Sequence, residues 1–417
     1  MGPSTRDYLV VAASYWGFTL VDGALRMLVL LHFFRLGYSP FTLALLFLLY
    51  EAAGIAANLG GGWLAVRYGI PRMLAVGQLL QVAGLAMLAM LEAGWPAAMA
   101  VAWVVAAQGI SGLAKDVTKT VSKSAIKATA ADTGGAEAAA QLFKWVAWFT
   151  GSKNAVKGLG FFVGGALLEM VGFRAALWLL AALIGLILVL GLVSLPRELG
   201  RAKPSKSVRE LFAKSEGVNL LAAARIFLFG ARDVWFVVGL PVFLYAGGWS
   251  FVQVGGFLAA WTVGYGLVQA LAPRLVRRSA DGLSREVPEA RLWSLVLVAV
   301  PLALAFALQL GSLSRPDLVV AAGLALFGLP FAVNSSLHSY LILAYAGSEK
   351  AAEDVGFYYA ANAAGRLVGI LLSGVLYQAA GMTGCLLGSA AMLAVCWAIT
   401  LGLPTTLAQS RPMAPAE

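Results

Sequence analysis

The chain has 417 residues, of which 60% are apolar and only 12% charged, with a net charge of +10. A soluble domain carries about 25% charged residues, so this composition excludes an ordinary soluble protein and places the chain in lipid. The basic excess does not indicate nucleic acid, because most of it falls in short loops, where membrane topology accounts for it.

Twelve membrane spans are predicted, roughly 8–34, 40–65, 72–92, 96–115, 142–170, 174–195, 218–245, 250–272, 292–311, 317–346, 355–378 and 382–403. The first apolar run is long enough to cross a bilayer, which takes about 20 residues. It is too long for a cleavable leader and lacks a small-residue cleavage site. Near its middle it carries Asp22 and Arg26, four residues apart and so on one helical face. Ionisable groups at that depth cost a few kcal/mol unless they meet protein, water or ligand. The two are therefore a structural brace or part of a substrate path.

The second span adds Glu51, and the loop after it reads Gly62 to Arg72 with Arg67 and Gly69 inside. That loop resembles the signature of the major facilitator superfamily, although Val66 stands where the usual acid would be. Further on, SGLAKDVTKTVSKSAIK repeats Lys115, Lys119, Lys123 and Lys127 at every fourth position. On a helix they form a slowly drifting stripe. It is either an interfacial helix holding anionic lipid or a basic stripe that gathers a cytoplasmic anion.

The fifth span holds Lys153 and Lys157 one turn apart, with Lys144 near its end. A basic, polar stretch, 196–217, then divides six spans from six. The expected organisation is an N-terminal half over 1–195, a cytoplasmic linker over 196–217 and a C-terminal half over 218–417.

The second half echoes the first. A shift of 211 residues puts Asp22 on Asp233 and Gly37-Tyr38-Ser39 on Gly248-Trp249-Ser250. A shift of 209 puts Lys157 on Arg366, Gly160 on Gly369 and Gly172 on Gly381. Weak internal symmetry of this kind is typical of secondary transporters. Together these features predict an all-α membrane protein with the major facilitator fold, twelve helices in two pseudo-symmetric halves.

With both termini inside, 20 of the 30 Lys and Arg fall in cytoplasmic segments and 3 in outside segments. This is the positive-inside pattern, and it predicts a multi-pass protein of a bacterial inner membrane. The other seven lie within spans: Arg26, Lys144, Lys153, Lys157, Arg225, Arg232 and Arg366. Lys144 can snorkel from its span end. The remaining six are the candidate substrate-binding residues. A cavity between the halves would suit an anion with more than one charged group, since arginine grips phosphate or carboxylate with a two-bond fork and lysine acts as a point charge. Asp22, Asp233, Glu51 and His338 are candidates for proton coupling or for salt bridges.

No enzyme motif is present: no HExxH, no GxSxG and no phosphate loop. No catalytic residue, metal site or cofactor is expected. Cys385 and Cys396 are eleven residues apart in one span, about 16 Å at the helical rise, too far for a disulfide. A channel is the other alternative, and a conductance recording separates it from a carrier.

Several long stretches carry a closer resemblance: SYWGFTLVDGALRMLVLLHFFRLGYSP, SGLAKDVTKTVSKSAIK, FKWVAWFTGSKNAVKGLGFF and LFGARDVWFVVGLPVFL. They resemble the ArsJ-type organoarsenical efflux permeases of the major facilitator superfamily. The resemblance implies arsenate resistance. A glyceraldehyde-3-phosphate dehydrogenase would use arsenate in place of phosphate, and the permease would export the product, 1-arseno-3-phosphoglycerate. The implied partners are that small anion, the dehydrogenase and the bilayer, with no nucleic acid. Other organophosphates or organic anions, exported or exchanged, suit the same cations. The chain also lacks the clustered cysteines that a trivalent-arsenic thiolate site would need.

Overall fold

The computed structural model describes residues 3–55, 57, 69–92, 94–131, 136–195, 215–276, 279, 282–346 and 351–406, apart from the side chains of 3–5, 8, 123–131, 136–151, 273 and 351–353. The loop signature over 62–68, most of the 196–217 linker and the side chains of Lys123, Lys127 and Lys144 lie outside the described residues.

The described residues form helices and no strand. These are α1 (Pro3–Arg35), α2 (Pro40–Leu46), α3 (Ile70–Ala89), α4 (Ala97–Ala131), α5 (Ala136–Met170), α6 (Phe173–Ser194), α7 (Glu216–Phe236), α8 (Gly239–Ala246), α9 (Phe251–Leu275), α10 (Glu286–Gln309), α11 (Pro316–Tyr345) and α12 (Ala351–Leu401). Lipid offers the backbone no hydrogen-bond partners, so spanning segments close their bonds internally as helices. The apolar stretch that begins with α2 runs as a shorter helical segment, Pro40–Ile55. Helices α7 and α8 continue one another through Glu216–Ala246. Helix α12 breaks at Ala380 and Gly381, where Gly381 has φ 60°. It therefore supplies two predicted spans, and every one of the twelve predicted positions carries a helix.

Burial separates inner spans from peripheral ones. Leu9–Arg35 and Glu216–Ala246 are each 78% buried over their apolar windows, against 33% for Phe173–Ser194 and 28% for Glu286–Gln309. The peripheral spans show Trp178, Leu179, Val193 and Phe306 on their surfaces, side chains suited to lipid. The inner spans are the ones that carry Asp22, Arg26, Arg225, Arg232 and Asp233.

The chain divides into two compact units. The first comprises Met1–Tyr38, Leu45–Lys206 and Trp249–Val263, and the second Ser39–Ala44, Ser207–Gly248 and Gly264–Glu417. In the first, α1 packs on α5, and α3 packs on α4 and α6. In the second, α7 packs on α12, and α10 packs on α11 and α12.

The internal repeat is visible in backbone detail. Gly37 and Gly248 both hold positive φ, 87° and 91°, as do Gly172 and Gly381 at 80° and 60°. The serine two residues after each of the first pair begins a helix. The Ser39 hydroxyl accepts from Thr42 N–H and the Ser250 hydroxyl from Gln253 N–H, both at 3.2 Å. Gln253 returns the bond by accepting from Ser250 N–H at 2.8 Å, a capping box.

The α1–α5 and α7–α12 crossings also correspond. A Cβ on Gly160 would stand 2.4 Å from the Leu20 carbonyl oxygen, and one on Gly369 2.4 Å from that of Gly230. Only glycine lets the backbones approach so closely, the general device of helix packing in membranes. Arginine closes two helix ends. Arg174 Nε donates to Ala89 O at 2.7 Å, and Arg291 donates to Thr400, Leu401 and Leu403 carbonyls at 3.0 to 3.1 Å.

Candidate functional site

The first unit gathers its charges into a network in which each cation has an acid. Arg26 on α1 reaches Glu51 at 2.6 Å, with both side chains almost fully buried. Lys115 on α4 lies 3.8 Å from Glu51 and 3.4 Å from Asp116, and Lys119 lies 2.9 Å from Asp116. The Tyr50 ring is the centre of this group: Lys115 Nζ sits 3.9 Å and the Arg26 guanidinium 5.2 Å from its centroid. The Tyr50 hydroxyl donates to Asp22.

Asp22 and Arg26 thus share a helical face without pairing. Each takes its partner from the segment after α2, Asp22 from Tyr50 and Arg26 from Glu51. The lysine stripe also differs from a row of open charges. Lys115 and Lys119 turn inward onto acids, with side chains only 15% and 19% exposed. Asp116 draws them there, as the one acid inside the lysine run. Lys153 and Lys157 on α5 are half-buried, with Lys157 Nζ 5.8 Å from the Phe161 ring, and neither lacks a partner.

The second unit is built differently. Asp233 on α7 is wholly buried between two arginines. Arg232 Nε donates to its Oδ1 at 2.7 Å and Arg366 Nε, from α12, to its Oδ2 at 3.1 Å. This single carboxylate therefore faces two guanidiniums. The position equivalent to Asp22 has become an ion-pair centre, whereas Asp22 itself accepts from a phenol.

Arg225 has no acid among the described residues. Its Nε donates to Asn362 Oδ1 at 2.9 Å, and its Nη1 donates to the Ser335 carbonyl at 3.2 Å and hydroxyl at 3.3 Å. Its guanidinium stacks 3.8 Å from the Phe229 centroid and 4.9 Å from that of Tyr358. Arg232 approaches the same Phe229 ring at 5.0 Å, so two cations two turns apart on α7 share one aromatic neighbour. Arg225 is also only 5% exposed. His338 on α11 is wholly buried, and neither ring nitrogen has a hydrogen-bond partner among the described residues.

The structure thus brings Arg26 and Glu51 together with Lys115, and Arg232 and Asp233 together with Arg366. Sequence reasoning passed over Asp116, Tyr50 and Asn362, and also Tyr265 and Gln269 on α9, which bond the Ser335 hydroxyl at 3.0 and 3.3 Å. Asp116 could have been found as the lone acid in the lysine run, and Tyr50 as the neighbour of Glu51. The three in the second unit have no signal of their own, because polar side chains singly placed in apolar helices show their convergence only in three dimensions. Cys385 and Cys396 are both buried free thiols.

Long apolar helices in two related units, with charges gathered on the most buried spans, define a multi-pass membrane protein. The sequence matches the family model described as Major Facilitator Superfamily over residues 8–287, and the chain belongs to that family. No curated protein matches the sequence. Among solved structures the fold resembles a point mutant of the nucleoside transporter NupG, with TM-score 0.72 and 14% identity over 96% of this chain and 100% of that one. It also resembles a D-xylose–proton symporter, with TM-score 0.71 and 14% identity over 96% and 97% of the two chains. The human organic anion transporter MFSD10 (TETRAN) matches with TM-score 0.62 and 17% identity over 96% and 100%. Membership of that family implies a transporter.

Proposed function

We propose that this protein is a secondary active exporter of a small organic polyanion, and that its substrate is 1-arseno-3-phosphoglycerate. The observation that carries the polyanion is the charge balance of the buried spans. Arg232 and Arg366 share the carboxylate of Asp233, and Arg225 meets only neutral acceptors among the described residues. Desolvating a charge is costly unless another charge compensates it, so an anionic ligand is the natural counterpart of the buried Arg225 guanidinium. The fold by itself selects no substrate, since one architecture serves many. The choice of the organoarsenical rests on the resemblance of four long stretches, in both halves, to ArsJ-type permeases.

In this reading Arg26, Lys153, Lys157, Arg225, Arg232 and Arg366 supply the binding cations, and the halves 1–195 and 218–417 alternate access across the inner membrane of a bacterium. Both termini and the 196–217 linker lie in the cytoplasm, where a glyceraldehyde-3-phosphate dehydrogenase makes the substrate. Arg26 doubles as a brace, because Glu51 already holds it. Export of an anion runs downhill on a potential that is negative inside, worth about 2.3 kcal/mol per charge per 100 mV.

The test is growth on arsenate in cells stripped of other arsenic efflux systems. Resistance with this protein plus the dehydrogenase, and with neither alone, supports the reading. Resistance that is independent of the dehydrogenase removes the organoarsenical and returns the choice to other anions.

A further inference from the structure

Several hydrogen-bond donors gather around Ser335 beside Arg225. Three donors converge on one oxygen, the Ser335 hydroxyl: Tyr265 Oη at 3.0 Å, Arg225 Nη1 at 3.3 Å and Gln269 Nε2 at 3.3 Å. A hydroxyl oxygen has two acceptor lone pairs, so the three cannot all be satisfied there. The Ser335 carbonyl accepts from Arg225 Nη1 at 3.2 Å and from the Ser339 hydroxyl at 2.9 Å. One turn along α11, His338 is fully buried with both ring nitrogens unbonded among the described residues. The donors come from α7, α9 and α11 and so approach from different directions. A buried positive charge without an acid among the described residues, beside donors that converge on one oxygen, calls for a group with negative charge and several lone pairs.

We propose that Arg225, Tyr265, Gln269, Ser335, His338 and Asn362 form a seat, wholly within the second unit, for one tetrahedral oxyanion terminus of the phosphate or arsenate class. A tetrahedral oxyanion presents three or four acceptor oxygens to donors from several sides, where a carboxylate presents two in one plane. On binding, Arg225 Nη1, Tyr265 Oη and Gln269 Nε2 exchange the shared Ser335 oxygen for ligand oxygens, and an N–H of His338 gains a partner. The Phe229 and Tyr358 rings keep the guanidinium plane in place. This inference rests on the polyanion reading and narrows it: Arg225 is the residue that recognises one end of the substrate, whereas Arg26 is held by Glu51 and Arg232 and Arg366 by Asp233.

The experiment is binding of inorganic phosphate to the purified full-length protein in lipid nanodiscs, by calorimetry and thermal stabilisation, with acetate as competitor. Wild type is expected to bind phosphate, with acetate a poor competitor. Arg225→Gln is expected to weaken binding by at least about tenfold, the scale of a lost charge-assisted fork. Arg225→Lys keeps the charge without the fork and is expected to fall between the two, which keeps the test meaningful if Arg225→Gln does not fold. Undiminished phosphate binding in Arg225→Lys and in any folded Arg225→Gln overturns the seat, as does acetate competing equally with phosphate, or a wild type that binds no phosphate. Arg225-dependent phosphate binding in a protein that exports no organoarsenical keeps the seat and removes only the substrate. Organoarsenical export with phosphate binding indifferent to Arg225 does the reverse.

Discussion

Arg26 and Glu51 meet at 2.6 Å with both side chains almost wholly buried, and removing one partner strands the other. Breaking a buried pair from one side costs about 3–5 kcal/mol, whereas replacing both with apolar groups is often neutral. Glu51→Gln is therefore expected to lower the thermal stability of the purified protein markedly, and Arg26→Met with Glu51→Leu to recover most of the loss. If the double replacement is as unstable as the single one, the pair is not a self-contained brace. The sequence showed which charges were buried but not how they pair. Spacing placed Asp22 and Arg26 on one face, yet both find their partners in the segment after α2, at Tyr50 and Glu51. A partner on another helix leaves no periodic trace, which is why Asn362 also went unseen, whereas Asp116 shares a helix with Lys115 and Lys119 and was legible inside the lysine run.

Helix packing was much more legible. Apolar length located the spans, and the glycine correspondences from the 209- and 211-residue shifts reappear as matching turns and matching crossings. A glycine at a backbone contact has no substitute, so its position is fixed in the chain itself. Adding side chains at Gly160 or Gly369, as leucine, is expected to abolish folded protein, because even a Cβ there falls 2.4 Å from a backbone oxygen. Gly356, with nothing within 4 Å of a Cβ, is expected to accept alanine with unchanged yield by fluorescence-detected size exclusion. Equal loss at Gly356 would show that the close approach is not the cause. Arg291 illustrates the limit of loop-charge reasoning. Its guanidinium is committed to the carbonyls of Thr400, Leu401 and Leu403, so it caps a helix end as well as counting toward topology. Arg291→Gln is expected to lower thermal stability, each lost charge-assisted bond contributing about 1.5–3 kcal/mol.

For the whole molecule, the two units resemble each other in backbone and differ in charge. In the first, Arg26, Lys115 and Lys119 are matched by Glu51 and Asp116. In the second, Asp233 holds both Arg232 and Arg366, and Arg225 has no acid among the described residues. An exporter driven by potential alone should move its anion faster into everted vesicles as the interior becomes more positive. It should be indifferent to a pH gradient at fixed potential, and dependence on that gradient would instead bring Asp22, Glu51, Asp233 or His338 into proton coupling. The most direct measurement supplies everted vesicles containing this protein with arsenate, glyceraldehyde-3-phosphate, NAD and the dehydrogenase, and follows arsenic uptake. Uptake that needs the complete mixture is the predicted result. Equal uptake without the dehydrogenase, or none in vesicles shown to be sealed and energised, would contradict export of 1-arseno-3-phosphoglycerate.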